Sequence, residues 1–381
     1  MCKSKLINAF ADAAQSEHLF RLLDGLPLAI AQAGAFLQES RVGLGTYLEF
    51  YKQQWKELME SRNWDSPLHD YPDRSVWTTW AISYNAIRNK HKATANLLLL
   101  WSFLDNKDLW YGLFAEAFKA SSVTTRSLLE WIGDIASYEL EFTRAMQLLR
   151  NYSLIEDVGD VASYATHPVV HKWAYHYQDQ DCRGKIGRLA VMVVGWAVPH
   201  QSEREYWTLQ RRLLPHAQAC SQWVSTDEAG QSIHSHDGRK LDRNGTEEKE
   251  GLLDAIQLLG ILYTDQGKLD EAAKMEKEVL EKRKRILGDE HPDTISAMNN
   301  LASTLGDQGQ LDEAIVLLEV AVQRMRRIHG DEHPHTKVAV SNLTRLAAMR
   351  THNIKRRIRG IRCMLALRES FVEKLRKKGT I

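Results

Sequence analysis

Residues 259–294 read LGILYTDQGKLDEAAKMEKEVLEKRKRILGDEHPDT, and residues 301–336 read LASTLGDQGQLDEAIVLLEVAVQRMRRIHGDEHPHT. The two segments align without a gap at a period of 42 residues. Gln266-Gly267 falls on Gln308-Gly309, Leu269-Asp270-Glu271-Ala272 on Leu311-Asp312-Glu313-Ala314, and Asp289-Glu290-His291-Pro292 on Asp331-Glu332-His333-Pro334. Self-similarity at such a period marks a stacked helical repeat, whose single unit cannot bury its own apolar face.

Each unit reads as helix–turn–helix. Ile256, Leu259 and Tyr263 are spaced three and four apart, on one face of a helix. Gly267 ends that helix, because glycine enters the left-handed C-cap conformation without steric cost. Asp270 and Glu271 place negative charge on the first turn of the next helix, complementing its dipole. Small Ala272 lets two helices approach, and a Lys/Arg-rich last turn precedes Gly288. His291-Pro292 then imposes an extended break before a helix starting near Thr294.

These residues resemble the tetratricopeptide (TPR) repeat in its long, kinesin-light-chain-like form, over about two units and the first helix of a third. The resemblance implies a concave groove, lined by first helices, that binds a protein or peptide. Asn299, Asn300, Ser303, Asn342 and Arg345 stand where that family lines its groove.

The chain has 381 residues, enough for two or three domains, and 44% of them are hydrophobic, which sets it apart from disordered sequences. A net charge of +1 supplies no general attraction to nucleic acid or anionic membrane. The apolar runs at 97–101 and 189–198 fall far short of the roughly 20 residues a membrane span requires. Cys2, Cys182, Cys220 and Cys363 are widely separated, which suits free thiols in a reducing compartment. A cytoplasmic protein is expected, with no membrane partner.

N-terminal of the repeats, helices are expected across residues 1–60. Within them Gly25-Leu26-Pro27-Leu28-Ala29 resembles the GLPLA motif of NB-ARC domains, the nucleotide switch of NLR-type receptors. Read from the residues alone, it is a helix start with Pro27 at the first position. Trp77-Thr78-Thr79-Trp80-Ala81-Ile82-Ser83-Tyr84 resembles the opening of the winged helix that follows GLPLA in that family. Core helices then fall at 97–104 and 109–118, and Phe142, Met146 and Leu149 share a helical face. Strand-like runs at 154–158 and 161–165 flank Gly159-Asp160, a usable hairpin turn. Thr166-His167-Pro168-Val169-Val170-His171 lies where the family carries its MHD motif, with Pro168 in place of the Asp; fungal members that join a winged helix to TPR repeats resemble this variant.

The resemblance implies that Pro27 and His167 contact bound ADP or ATP. Yet the chain has no GxxxxGK[ST] loop, whose backbone N–H groups, Lys and hydroxyl hold the nucleotide phosphates. Only 24 residues precede Gly25, too few for the α/β half of an NTPase. The chain therefore reads as the C-terminal part of an NLR-like protein. Pro27 and His167 are vestigial nucleotide contacts, and no cofactor is expected unless an upstream domain supplies the phosphate loop. No catalytic set emerges: GxSxG and paired nucleophile–base spacings are absent, and the acidic pairs of DEHP and LDEA recur with the repeat. His167 and His171 are an i, i+4 pair without a third ligand nearby, so no metal site is expected. Residues 139–151, the winged helix's candidate reading helix, set Arg144 and Arg150 against Glu139 and Glu141, which is poor chemistry for phosphates; no nucleic-acid partner is expected.

The expected architecture is mainly α. A helical subdomain (1–60) precedes a winged helix with a short β-hairpin (61–182) and a helical connector (183–224). A flexible linker (225–250) leads to an α-solenoid of TPR helix pairs (251–350) and a basic C-terminal segment (351–381). From 350 to 378 there are eleven Lys/Arg against two acids, which suits a capping helix, a degenerate second helix of a third unit, or a surface for acidic partners. The expected function is non-catalytic protein interaction in signalling, with the oligomerisation known of NLR-like receptors as a further implication. A completed nucleotide switch is one alternative. A kinesin-light-chain-like cargo adaptor is another, though the N-terminal half lacks that adaptor's heptad coiled coil.

Overall fold

A computed structural model describes residues 13–60, 74–159, 162–224 and 243–377. They are overwhelmingly helical, with one two-stranded antiparallel sheet, and fall into two compact units that divide between Leu258 and Leu259. The mainly α class with a short hairpin and a helical solenoid is the one the sequence implies.

The first unit opens with α1 (Ala13–Leu22), α2 (Pro27–Ser40) and α3 (Leu44–Glu60). Asp24 and Gly25 both adopt positive φ (55° and 68°), reversing the chain so that Pro27 starts α2 with its preset φ. Helices α4 (Arg74–Lys90) and α5 (Lys92–Trp101) follow. The apolar run of α5 is buried on all sides, which explains its lack of amphipathic periodicity. Trp80, Trp101 and Trp173 are fully buried, and Trp80 and Trp173 pack with ring centroids 6.1 Å apart. Gln32 of α2 ties this helical region to the next, donating to Ser83 Oγ at 3.1 Å and to the carbonyl of Tyr152.

The segment expected to form the winged helix contains α6 (Tyr111–Ala120), α7 (Ser122–Ile132), α8 (Glu139–Asn151) and strands β1 (Ile155–Asp157) and β2 (Tyr164–Thr166). The strands pair Ile155 with Thr166, Glu156 with Ala165 and Asp157 with Tyr164, and Leu109 forms an isolated antiparallel bridge to Tyr164. Gly159 turns the hairpin at φ 62°; residues 160 and 161 lie outside the described set. Phe142, Met146 and Leu149 are all buried, as their spacing predicts. Helices α9 (Pro168–His176), α10 (Gln180–Trp196) and α11 (Tyr206–Cys220) complete the unit with the first turns of α12 (Arg243–Asp265). Gly195 of α10 permits a backbone approach that no side chain would: a Cβ there would stand 2.4 Å from the carbonyl oxygen of Ala255.

The second unit takes the last turns of α12, then α13 (Leu269–Leu287), α14 (Pro292–Asp307), α15 (Leu311–His329) and α16 (Pro334–Lys377). Gly267, Gly288, Gly309 and Gly330 all have positive φ, from 72° to 87°, and each closes a helix. Successive helices α13–α14, α14–α15 and α15–α16 pack as antiparallel neighbours joined by short turns.

Two expectations need correction. Residues 243–250 are not linker but the start of α12, where Glu247, Glu248, Lys249 and Glu250 are strong helix formers that outweigh Gly245; residues 225–242 lie outside the described set. The basic segment is neither a separate cap nor a second helix, because α16 runs unbroken for 44 residues. At the positions that match Gln308-Gly309 and Asp312-Glu313 stand Arg350-Thr351 and Ile354-Lys355, so both the glycine stop and the acidic restart are missing.

Candidate protein-binding site

The first helices α14 and α16 bring four of the five expected groove residues into two bonded pairs. Asn342 Nδ2 donates to Asn299 Oδ1 at 3.2 Å. One turn further on, Arg345 Nη2 reaches Ser303 Oγ at 3.4 Å, and Nη1 lies 3.4 Å from Asp307 Oδ1. The spacings Asn299–Ser303–Asp307 and Asn342–Arg345 are the i, i+3 and i, i+4 steps that keep side chains on one helical face. Asn299 and Asn342 are half-buried, whereas the Arg345 side chain retains 43% exposure. Asn300 is half-buried beside Asn299 and joins neither pair.

Behind this face lies a polar contact between the first two repeats. Thr264 Oγ1 of α12 and Thr304 Oγ1 of α14 are 3.2 Å apart. Glu276 of α13 is 3% exposed, and its Oε2 has no hydrogen-bond partner. Burial pushes its carboxyl up to about 7, against a smaller opposing pull from the Thr304 hydroxyl.

The acids of the DEHP linker are bound by the following helix. Arg324 Nη1 of α15 donates to the carbonyl of Asp289 at 2.8 Å, its Nε lies 3.6 Å from Glu290, and Arg327 pairs closely with Glu290. These contacts tie the inter-helix turn to α15. The histidine of each His–Pro pair has a local task that the sequence reading did not assign. His167, His291 and His333 cap α9, α14 and α16, each accepting at Nδ1, 3.3 Å from the N–H two residues on. The pairing of His with Pro at three helix starts was the available signal.

Pro27 is exposed at the first position of α2, and His167 is exposed as the cap of α9. His171 turns inward instead. Its Nε2 is 3.0 Å from the carbonyls of Trp101 and Leu104, and burial lowers its pKa, so it is a neutral Nε2–H donor to both. That geometry separates His171 from His167 as a ligand pair. Among the described residues no group of three His, Cys, Asp or Glu is placed to hold a metal ion.

The cluster that locks the connector was not foreseen. Arg212 of α11 clasps Asp108 through two bonds of 2.6 Å and stacks 3.8 Å over the Trp110 ring. Burial alone would raise the Asp108 carboxyl; Arg212 and Ser163 outweigh it and hold the group below its ordinary value. Buried His216 accepts from the Asp105 N–H at 3.2 Å and faces the Asp108 carbonyl at 2.8 Å. Burial lowers its pKa, consistent with a neutral ring. No spacing in the sequence links positions more than 100 residues apart, as 108 and 212 are.

The second unit is a stack of helical repeats. The tetratricopeptide repeat family matches residues 252–327. The chain is also similar to a nucleotide-binding leucine-rich repeat (NLR)-like protein of Hyaloscypha variabilis, 26% identical over 294 residues. The match covers 74% of this chain and 26% of the relative, so the chain spans about a quarter of that protein's length. The resemblance to a fungal NLR-like protein with TPR repeats, read from GLPLA, the winged helix, HPVVH and the duplicated units, is borne out. Among the described residues no helix is long and apolar enough to cross a membrane.

Proposed function

We propose that this chain is a non-catalytic, cytoplasmic protein-interaction part of an NLR-like signalling protein, and that it binds a peptide segment of a partner on the α14–α16 face. The bonded row Asn299–Asn342 and Ser303–Arg345–Asp307 carries the reading. The amide pair uses one donor and one acceptor, leaving Asn299 Nδ2 and Asn342 Oδ1 for a peptide backbone. Arg345 is held by long contacts, at 3.4 Å to Ser303 and Asp307 and 3.8 Å to Met349 Sδ, and keeps its charge accessible, which suits a partner carboxylate. Asn300 extends the row. In a test, partners are captured by proximity labelling with the natural chain and with the N342A/R345A variant. Reconstitution of the captured partner with purified chain is expected to show roughly a tenfold weaker Kd for the variant. Equal affinity would remove the binding role of this face.

A nucleotide switch is the second reading, favoured by the exposure of Pro27 and His167 at helix starts and by the words "nucleotide-binding" in the relative's name. His167 already spends Nδ1 on its cap. This chain by itself is expected to bind ADP at most weakly and to hydrolyse no ATP; a micromolar Kd in calorimetry would restore the switch.

A further inference from the structure

The 44 residues of α16 extend over about 66 Å, against about 28 Å for the 19 residues of α15 on which it packs. Thr336, Ala339 and Leu346 are buried in the N-terminal half of α16, Leu346 against Gly306 of α14. Further along, Ile354, Ile358, Ile361 and Leu365 follow at steps of four, three and four, and are 49%, 47%, 53% and 51% exposed. Four, three, four is the d–a–d–a spacing of a coiled-coil seam. At about 100° per residue the four side chains fall within a 60° stripe, on the opposite side of the helix from Arg345.

Three of the four edge positions of this seam are basic, and exposed Met364 takes the other g position. Lys355 and Arg362 occupy the e positions and Arg357 a g position, the places that choose a coiled-coil partner by charge. All three are exposed, and among the described residues none of them forms an ion pair. A second copy of α16 is a poor occupant. Parallel pairing sets Arg357 against the copy's Arg362, and antiparallel pairing also sets cations against cations. Burial of isoleucines favours occupancy, and the cations require acids across from them.

We infer that the C-terminal half of α16 is a docking strand for an acidic amphipathic helix of another protein, which seats apolar a and d residues on Ile354, Ile358, Ile361 and Leu365 and sets Glu or Asp against Lys355, Arg357 and Arg362. This site is separate from the groove face, so the two proposals fail independently.

The test uses the whole chain and a fluorescein-labelled synthetic peptide with Leu at a and d and Glu at e and g, with a scrambled peptide of the same composition as control. The heptad peptide is expected to bind in the micromolar range, and I358D/I361D to weaken it at least about tenfold. The charge reversal K355E/R357E/R362E is expected to abolish binding and to admit a Lys-flanked version of the peptide, while R345A leaves binding unchanged. All substituted seam residues are exposed, so helical content by circular dichroism should match the natural chain. Equal binding of the scrambled peptide would reduce the surface to general charge and overturn the inference. Capture by phosphatidylserine vesicles with no peptide binding would reassign it to a membrane surface, and a dimer lost in I358D/I361D would reassign it to self-association.

Discussion

The first and second repeats build the same contact to the next repeat from opposite chemistry. At aligned positions the first uses Thr264, Glu276 and Thr304, and the second uses Gly306, Leu318 and Leu346. The polar trio holds a hydroxyl pair at 3.2 Å beside a buried carboxyl. The apolar trio packs Leu346 so tightly over Gly306 that an added Cβ would stand 2.4 Å from Leu346 Cδ2. Arg283 and Met325 repeat the contrast: both are buried at matching positions, and Arg283 answers its charge with the carbonyl of Asp293 at 3.0 Å. The repeat thus conserves helix register and space at these positions and leaves side-chain chemistry free, provided each polar group brings a partner.

The contrast breaks most severely if the first chemistry is moved into the second frame. Leu318→Glu would bury a carboxyl at a fully buried position, and should destabilise the second unit by about 4 kcal/mol at neutral pH. All eleven tryptophans precede Val224. Urea unfolding followed by circular dichroism will therefore register the loss, and tryptophan fluorescence will report the first unit alone. A cost below about 1 kcal/mol would show the second interface to be more permissive than its packing implies.

The natural polar interface should itself depend on pH. In the unfolded chain the Glu276 carboxyl titrates near 4.5, and in the folded chain near 7. Below the lower value both states hold the proton and burial carries no charge penalty. As pH rises through this window the unfolded state ionises first, so stability falls by about 3 kcal/mol and is level above it. Glu276→Gln should flatten that slope and be the more stable protein at pH 8. Parallel slopes for the two proteins between pH 4.5 and 7 would assign the effect to another group.

Periodicity made the solenoid legible, because glycine stops, acidic first turns and His–Pro breaks recur in register at 42 residues. The same signals explain the misreading of residues 350–377. With Thr351 where Gly309 would repeat, nothing stops α16, yet absence of a stop signal is a weak cue. Of the groove face, residue identities could be aligned from one repeat to the next, but not the bonds that join Asn299 to Asn342 and Ser303 to Arg345. Glu276 stayed hidden because a glutamate on a Lys/Glu-rich helix reads as solvent-facing. Its burial, and the close approach of Gly260, whose added Cβ would stand 3.0 Å from Glu276 Cγ, show that it points inward.

Gly306→Ala tests the apolar interface more gently. The substitution gains helix propensity of about 1 kcal/mol. It must also push aside a Leu346 methyl, an overpacking cost of about 1–3 kcal/mol. A net loss of about 1 kcal/mol in the second unit is expected, and the loss should vanish when G306A is measured in an L346A background, where the clashing methyl is gone. Additive losses in that pair would mean that Leu346 and Gly306 do not share the contact.

The smallest effect concerns the turn that both interfaces have in common. His291 accepts from the Asp293 N–H through Nδ1, at 3.3 Å and in the same geometry as His333 with His335. Such a cap satisfies one of the free N–H groups at the start of α14, a group that Pro292 at the first position does not contribute. His291→Ala should then cost about 0.5–1 kcal/mol, and His291→Asn, whose side-chain oxygen is a better cap, should restore it or slightly exceed it. Both substitutions leave the Arg324 and Arg327 contacts to Asp289 and Glu290 in place, so the turn itself should persist. If alanine and asparagine proved equally destabilising by urea midpoint, the imidazole would matter for packing against the linker. The three His–Pro starts would then share a steric role, with capping incidental to it.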